Sequence, residues 1–187
     1  FRSFGNEFTP PNRTVPKWHL ALVLESLTRA PYEPLEEVSL QFVARKTAFL
    51  VAFASAKRIG ELQAIKGQVA HKEDWSSVTL SLDPLFLAKT LNAASSRAVA
   101  SFSIPALSNI ATESNDLLLC PVRAIRIYLD RTKSSRTTAS RLFIPLTSSR
   151  TGIGKNTLSL WVKSVIKTAY DGANQDTLTL HRLSTHE

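Results

Sequence analysis

Arg58 has the most chemistry to offer in this chain. It sits in Ala54-Ser55-Ala56-Lys57-Arg58-Ile59-Gly60-Glu61-Leu62, where an apolar helix-like run gives way to a lone arginine three residues before a glutamate. The preceding stretch from Leu40 to Ala56 is apolar on nearly every side, through Phe42, Val43, Phe49, Leu50, Val51 and Phe53, as a buried central helix would be. Arg58 is therefore placed at the edge of the core, where an unpaired charge is costly. Two partners are open to it: Glu61 at i+3, or an anion supplied from outside. A guanidinium can hold two oxygens of one phosphate in a bidentate fit that an ammonium cannot reproduce.

Other basic residues suit a polyanion. Lys133, Arg136, Arg141, Arg150 and Lys155 are interleaved with serine and threonine, and Lys57, Arg97 and Arg182 add to them. Such side chains suit contacts to a nucleic-acid backbone, which set register without reading sequence. Gly152-Ile153-Gly154-Lys155-Asn156-Thr157 is like the tail of a phosphate-binding loop, but it lacks the upstream glycine and has asparagine where Ser or Thr follows the lysine. Nucleotide binding is not expected. Glu33, Glu36 and Glu37 lie in a proline-bounded turn and read as solubilising surface. No His/Asp/Glu cluster has metal-site spacing, and the single Cys120 rules out an internal disulfide or a cysteine cage, so neither metal nor cofactor is expected. Tyr32, Tyr128 and Tyr170 read as packing residues.

Composition narrows the partner. The 187 residues carry 23 Lys and Arg against 15 Asp and Glu, a net charge of +8 that favours nucleic acid over a small neutral substrate. No segment reaches the roughly 18 uninterrupted apolar residues of a membrane span, so no membrane partner is expected. Phe1-Arg2-Ser3-Phe4-Gly5 does not open a signal peptide, since no apolar h-region or cleavage site follows. Cysteine usage fits a reducing nuclear or cytosolic compartment.

The elements that must position these residues form one domain, residues 17–187, behind an extended arm or linker, residues 1–16, rich in proline and polar residues. A helix is predicted from Lys17 to Arg29, with Trp18, Leu20, Ala21, Leu24 and Leu27 on one side and Pro31 and Pro34 ending it. The buried helix follows from Ser39 to Ala56, then a turn near Lys57 and Arg58 and a short helix to Ile65. Val78, Leu80 and Leu82 alternate with polar residues, as do Ala100, Phe102 and Ile104, predicting two half-buried strands. About fifteen residues containing Lys89 join them, longer than an ordinary hairpin loop and often functional at that length. Pro121 suits the first position of a helix to Arg131 with Val122, Ile125 and Leu129 inward. Residues 133–141 read as a loop, and a last helix runs from Asn156 to Tyr170 on Leu158, Trp161, Val162, Val165, Ile166 and Ala169. The fold class is α+β, mainly α, with a small antiparallel sheet.

Arg58-Ile59-Gly60-Glu61-Leu62 resembles the first arginine box of the tyrosine recombinases, which cut and rejoin DNA through a phosphotyrosine link. Further matches run through Val15-Pro16-Lys17-Trp18, Phe86-Leu87-Ala88-Lys89-Thr90, Leu119-Cys120-Pro121-Val122-Arg123-Ala124-Ile125-Arg126-Ile127-Tyr128-Leu129 and Thr185-His186-Glu187. The ordered set is similar to the recombinase domain of the DIRS/Ngaro group of eukaryotic retrotransposons. That resemblance implies a recombinase catalytic-domain fold, duplex DNA as partner, self-association on DNA in the intact enzyme, a nuclear site of action, and no need of metal or nucleotide. It makes Arg58 a phosphate ligand, Lys89 the hairpin lysine that serves as general acid toward the leaving oxygen, and His186 the histidine of the His-x-x-Arg box.

The carboxyl end admits two registers. In one, His181-Arg182-Leu183-Ser184 is the box, with serine in place of its arginine and a dead enzyme implied. In the other, His186 is the box histidine, because Ser184-Thr185-His186-Glu187 is a capping-box pattern that starts a helix there. In this register the second arginine and the nucleophilic tyrosine are expected beyond Glu187, leaving the chain as given without cleavage activity. The rival expectation is a recombinase-derived DNA-binding or scaffolding protein without chemistry.

Overall fold

The computed structural model describes residues 18–86, 101–111, 113–147 and 152–173. These form an α+β fold, mainly helical, with six α-helices and one three-stranded antiparallel sheet. The chain runs α1 (Leu20–Ser26), α2 (Leu40–Ser55), α3 (Ile59–Gln63), β1 (Ala70–His71), β2 (Ser77–Ser81), β3 (Ser101–Pro105), α4 (Ser114–Leu118), α5 (Pro121–Arg131) and α6 (Lys155–Gly172).

Helix α2 is the centre. It packs against both α5 and α6, with α1 and α3 laid on α6 and β3 touching α2 and α5. Its apolar side chains explain this, since Val43, Ala44, Ala48, Phe49, Leu50 and Val51 are all buried. Phe53, expected inside, is 52 % exposed, because the last turn of α2 runs past the helices that cover the rest. Ala56 then takes a left-handed conformation, φ 50°, which stops the helix before Arg58. Helix α5 begins at Pro121, whose missing N–H costs nothing in the first turn. It buries Val122, Ala124, Ile125 and Tyr128.

Strand β2 lies between β1 and β3, with Val78 opposite Ile104 and Leu80 opposite Phe102. Val78, Leu80 and Ile104 face the core while Thr79 and Ser103 share a hydrogen bond on the open face, at 2.8 Å. The alternation seen in sequence is thus a true two-faced sheet. Strand β1 was not foreseen: two residues are too few to show a period. Helix α1 is also shorter than its apolar pattern suggests, and Val23 and Leu27 enter the core while Ala21 is exposed.

The turn between α1 and α2 corrects the sequence reading most sharply. Glu33 is not solubilising surface. Its carboxylate accepts from the Lys46 ammonium on α2 and from Arg123 Nη1 and Nη2 on α5, the latter pair at 2.7 and 3.1 Å. Lys46 is wholly buried and also donates to Leu27 O at 2.6 Å. Arg131 adds bonds to Leu35 O and Val38 O, at 2.8 and 2.6 Å, so α5 grips this turn at two places. Glu36 meets Arg123 only at the exposed rim, at 3.4 Å.

Candidate functional site

Helix α3 is five residues long and is held at both ends by charged groups. At its start, Glu61 Oε2 accepts from the backbone N–H of Arg58 at 3.0 Å, while Oε1 pairs with Lys57 Nζ at 3.2 Å. Lys57 also lies 5.4 Å from the Phe102 ring, joining α3 to β3. The foreseen partnership of Arg58 with Glu61 therefore exists, but through the arginine's backbone. The Arg58 side chain is exposed, and among the described residues no acid pairs with its guanidinium.

A second cation reaches the same turn from the far end of the sequence. Lys155 is the first residue of α6, and its Cε and Nζ lie 3.5 and 3.6 Å from where a Cβ on Gly60 would stand, with Phe86 Cζ at 3.7 Å. Among the described residues no acidic side chain pairs with Lys155. Its neighbourhood is fixed by the link between α3 and the start of α6, where Gln63 Nε2 donates to Ile153 O at 3.1 Å. Only the tertiary fold makes Lys155 a neighbour of Gly60; no local pattern carries that signal.

Arg141 and Arg136 have structural duties that their spacing did not reveal. Arg141 donates to Gln63 O at 3.3 Å and lies 3.8 Å from Asp83, placing a cation where the last carbonyls of α3 point. Its stem lies over Gly152, where an added Cβ would come within 2.9 Å of Arg141 Cδ. Arg136 donates to Thr132 Oγ1, Arg141 O and Leu142 O at 2.7, 3.0 and 2.8 Å, and sits over the Tyr128 ring. Burial pulls its pKa below the ordinary arginine value, with Tyr128 offsetting part of the effect. Three of its N–H donors are used within the protein, so Arg136 braces the chain reversal after α5, a role its spacing did not reveal. Lys133 is exposed at the start of a short 3-10 helix, Lys133–Ser135, with no acidic partner among the described residues.

Lys89, Arg97, Arg150, His181, Arg182 and His186 lie outside the described residues. The three tyrosines are all buried. Tyr128 Oη accepts from Ile144 N–H at 3.2 Å and Tyr170 Oη from His19 N–H at 2.8 Å. Burial pushes the Tyr128 pKa up against the pull of the Ile144 hydrogen bond and Arg136. None of these hydroxyls is placed to attack a bulky phosphodiester. Among the described residues no group of three or more His, Cys, Asp or Glu side chains is gathered to hold a metal ion, and no helix is long and apolar enough to cross a membrane.

No protein family, curated protein or solved structure matches this chain. The site must be read from its own geometry.

Proposed function

We propose that this domain binds duplex DNA as part of a strand-cleaving and rejoining recombinase of the tyrosine class, like those of DIRS/Ngaro retrotransposons. The observation that carries the reading is Arg58: exposed, without an acidic partner among the described residues, and anchored by its own backbone to Glu61 at the end of the most buried helix. In the intact enzyme Arg58 holds the non-bridging oxygens of the scissile phosphate, Lys89 protonates the leaving oxygen, and His186 supports the same phosphate. The reaction stores its bond energy in a 3′-phosphotyrosine, works in the nucleus, and has copies of the enzyme meeting on DNA. Lys57, Lys133 and Lys155 supply backbone contacts.

A second reading keeps the DNA and drops the chemistry. The burial of Tyr32, Tyr128 and Tyr170 favours it for the chain as given, because none of them can serve as nucleophile without leaving the core.

The test is to titrate the purified chain with duplex DNA at several salt concentrations and then incubate it with nicked suicide substrates. Binding should weaken with salt at a log–log slope of about −0.9 per phosphate neutralised, and no covalent band should appear on a denaturing gel. The absence of salt-dependent binding would refute the reading. A covalent band abolished by Tyr170→Phe would show that one of these tyrosines is the nucleophile after all.

A further inference from the structure

We propose that the cavity at the head of α6 is a binding site for a small organic anion, a carboxylate or phosphate monoester carried on an aliphatic body. The site is separate from the DNA-binding reading above and does not depend on it. The cavity has a volume of about 600 Å³. That lies within the roughly 300–1,000 Å³ usual for small ligands. Its walls join the start of α2, through Leu40 and Gln41, to Leu146 and Ile153 ahead of α6 and to Thr157 and Trp161 on α6 itself. None of its described lining residues carries a charge. A mostly apolar lining takes an apolar body, and the few polar groups in it fix the orientation.

Two independent features supply a place for the charged end. The first is the helix start. Gly154 lines the cavity as the N-cap of the 18-residue α6, brings no side chain to cap it, and is followed by a first turn without an acid. The first bond of the helix runs from Leu158 N–H to Gly154 O at 3.1 Å, so among the described residues the N–H groups of Lys155, Asn156 and Thr157 have no acceptor. Such groups, aligned with the helix dipole, attract an anion. The second feature is Trp161, which lines the cavity and is only 9 % exposed, yet its indole N–H has no acceptor among the described residues. The partnerless side-chain atoms sealed from solvent are Tyr32 Oη and Arg45 Nε, so the indole N–H opens outward. A tryptophan N–H this deep ordinarily has a partner. Trp161 stands one turn after Thr157, and a helical side chain leans back over the turn before it, which brings the indole and the uncapped N–H groups to one space. An anion there answers both, with its aliphatic body against Leu40, Leu146 and Ile153.

The experiment is isothermal titration calorimetry of the full chain with octanoate, octyl phosphate, octanol and inorganic phosphate. Octanoate or octyl phosphate should bind at one site with a Kd below about 1 mM, and the tighter of the two names the head group. Octanol, with the same body and no charge, and inorganic phosphate, with no body, should each bind at least about tenfold more weakly. Gly154→Asp separates the site from the fold. Nothing stands within 4 Å of a Cβ at Gly154, and an aspartate there caps α6 with its own carboxylate. That variant should melt at or above the parent temperature and lose at least about tenfold in anion affinity, while Gly154→Ala keeps the parent affinity. Trp161→Phe should weaken the anion roughly tenfold, the worth of one charge-assisted hydrogen bond, and leave octanol nearly unchanged. Binding of neither anion, octanol binding as tightly as both, or equal affinities for Gly154→Asp and Gly154→Ala would each overturn the inference and leave the DNA-binding reading standing.

Discussion

Replacing Glu33 with alanine should be among the most damaging single changes to this fold. The variant strips the Lys46 ammonium of its only carboxylate among the described residues while that side chain remains wholly buried, with the Leu27 carbonyl as its remaining described partner. Removing one member of a buried pair costs about 3–5 kcal/mol, because the other charge stays desolvated and unpaired. Arg123 adds little to this loss, since its side chain is 27 % exposed and can turn to Glu36 or to water. For a domain of this size about 2–4 °C of melting temperature accompanies each kcal/mol, so a drop of roughly 6–20 °C is expected in a calorimetric or circular-dichroism melt. The pH dependence supplies a second readout. Burial alone would raise the Glu33 pKa, but the hydrogen bonds from Arg123 and Lys46 together outweigh it and hold the carboxyl below its ordinary value. The stability it contributes is therefore complete above the unfolded glutamate pKa of about 4.3 and lost as pH falls through the lower folded value. The gap between parent and variant should stay constant from about pH 5 to 8 and narrow below about pH 4. Pairing Glu33→Met with Lys46→Met should recover most of the loss, since no buried charge remains. A Glu33→Ala chain within about 1 kcal/mol of the parent in urea unfolding would refute the claim that this pair sits in a dry interior.

Three further outcomes are expected. Arg58→Ala in an intact, full-length enzyme should lower formation of the covalent DNA complex by at least about a hundredfold, from loss of one preorganised donor to the phosphorane, and should weaken binding much less; equal cleavage by variant and parent would remove Arg58 from the mechanism. Gly67→Ala should destabilise by about 1–3 kcal/mol in urea unfolding, because the new methyl would stand 2.6 Å from the Ser140 carbonyl oxygen, which already accepts the Gly67 N–H at 2.8 Å. Tyr128→Phe should cost about 1–3 kcal/mol by leaving the buried Ile144 N–H without its acceptor, and an unchanged melting temperature would show that another acceptor takes over.

What could be read directly from the sequence was whatever repeats along the chain. The buried helix α2, the start of α5 at Pro121, the turn after Ala56, the alternation of β2 and β3, and the apolar stripe of α6 each follow from a period or a punctuating residue within one segment. The edges of α2 and α6 moved by one or two residues and those of α1 by three at each end, because end residues are set by what packs on them, whereas α5 runs from Pro121 to Arg131 as expected. Arg58 was legible for the same reason: a charge at the end of an apolar run needs an explanation wherever the run folds. Lys46, about three turns further inside that run, carried the same signal, and it was missed because the surrounding hydrophobic pattern absorbed it.

The partners of these charges belong to the tertiary structure. Glu33 meets Arg123 across 90 residues and Lys46 across 13, so a turn that is acidic and proline-bounded in sequence becomes an internal anchor only once α2 and α5 close over it. Arg136 reads as a surface cation among serines and threonines until the chain reversal at 137–142 brings two carbonyls to its guanidinium. Lys155 is 95 positions from Gly60, and their contact depends on Gln63 bonding to Ile153 at the head of α6. Period and propensity act over a few residues and specify which elements form. The pairing of charges depends on distances of a few ångströms between segments far apart in the chain, and only packing sets those distances.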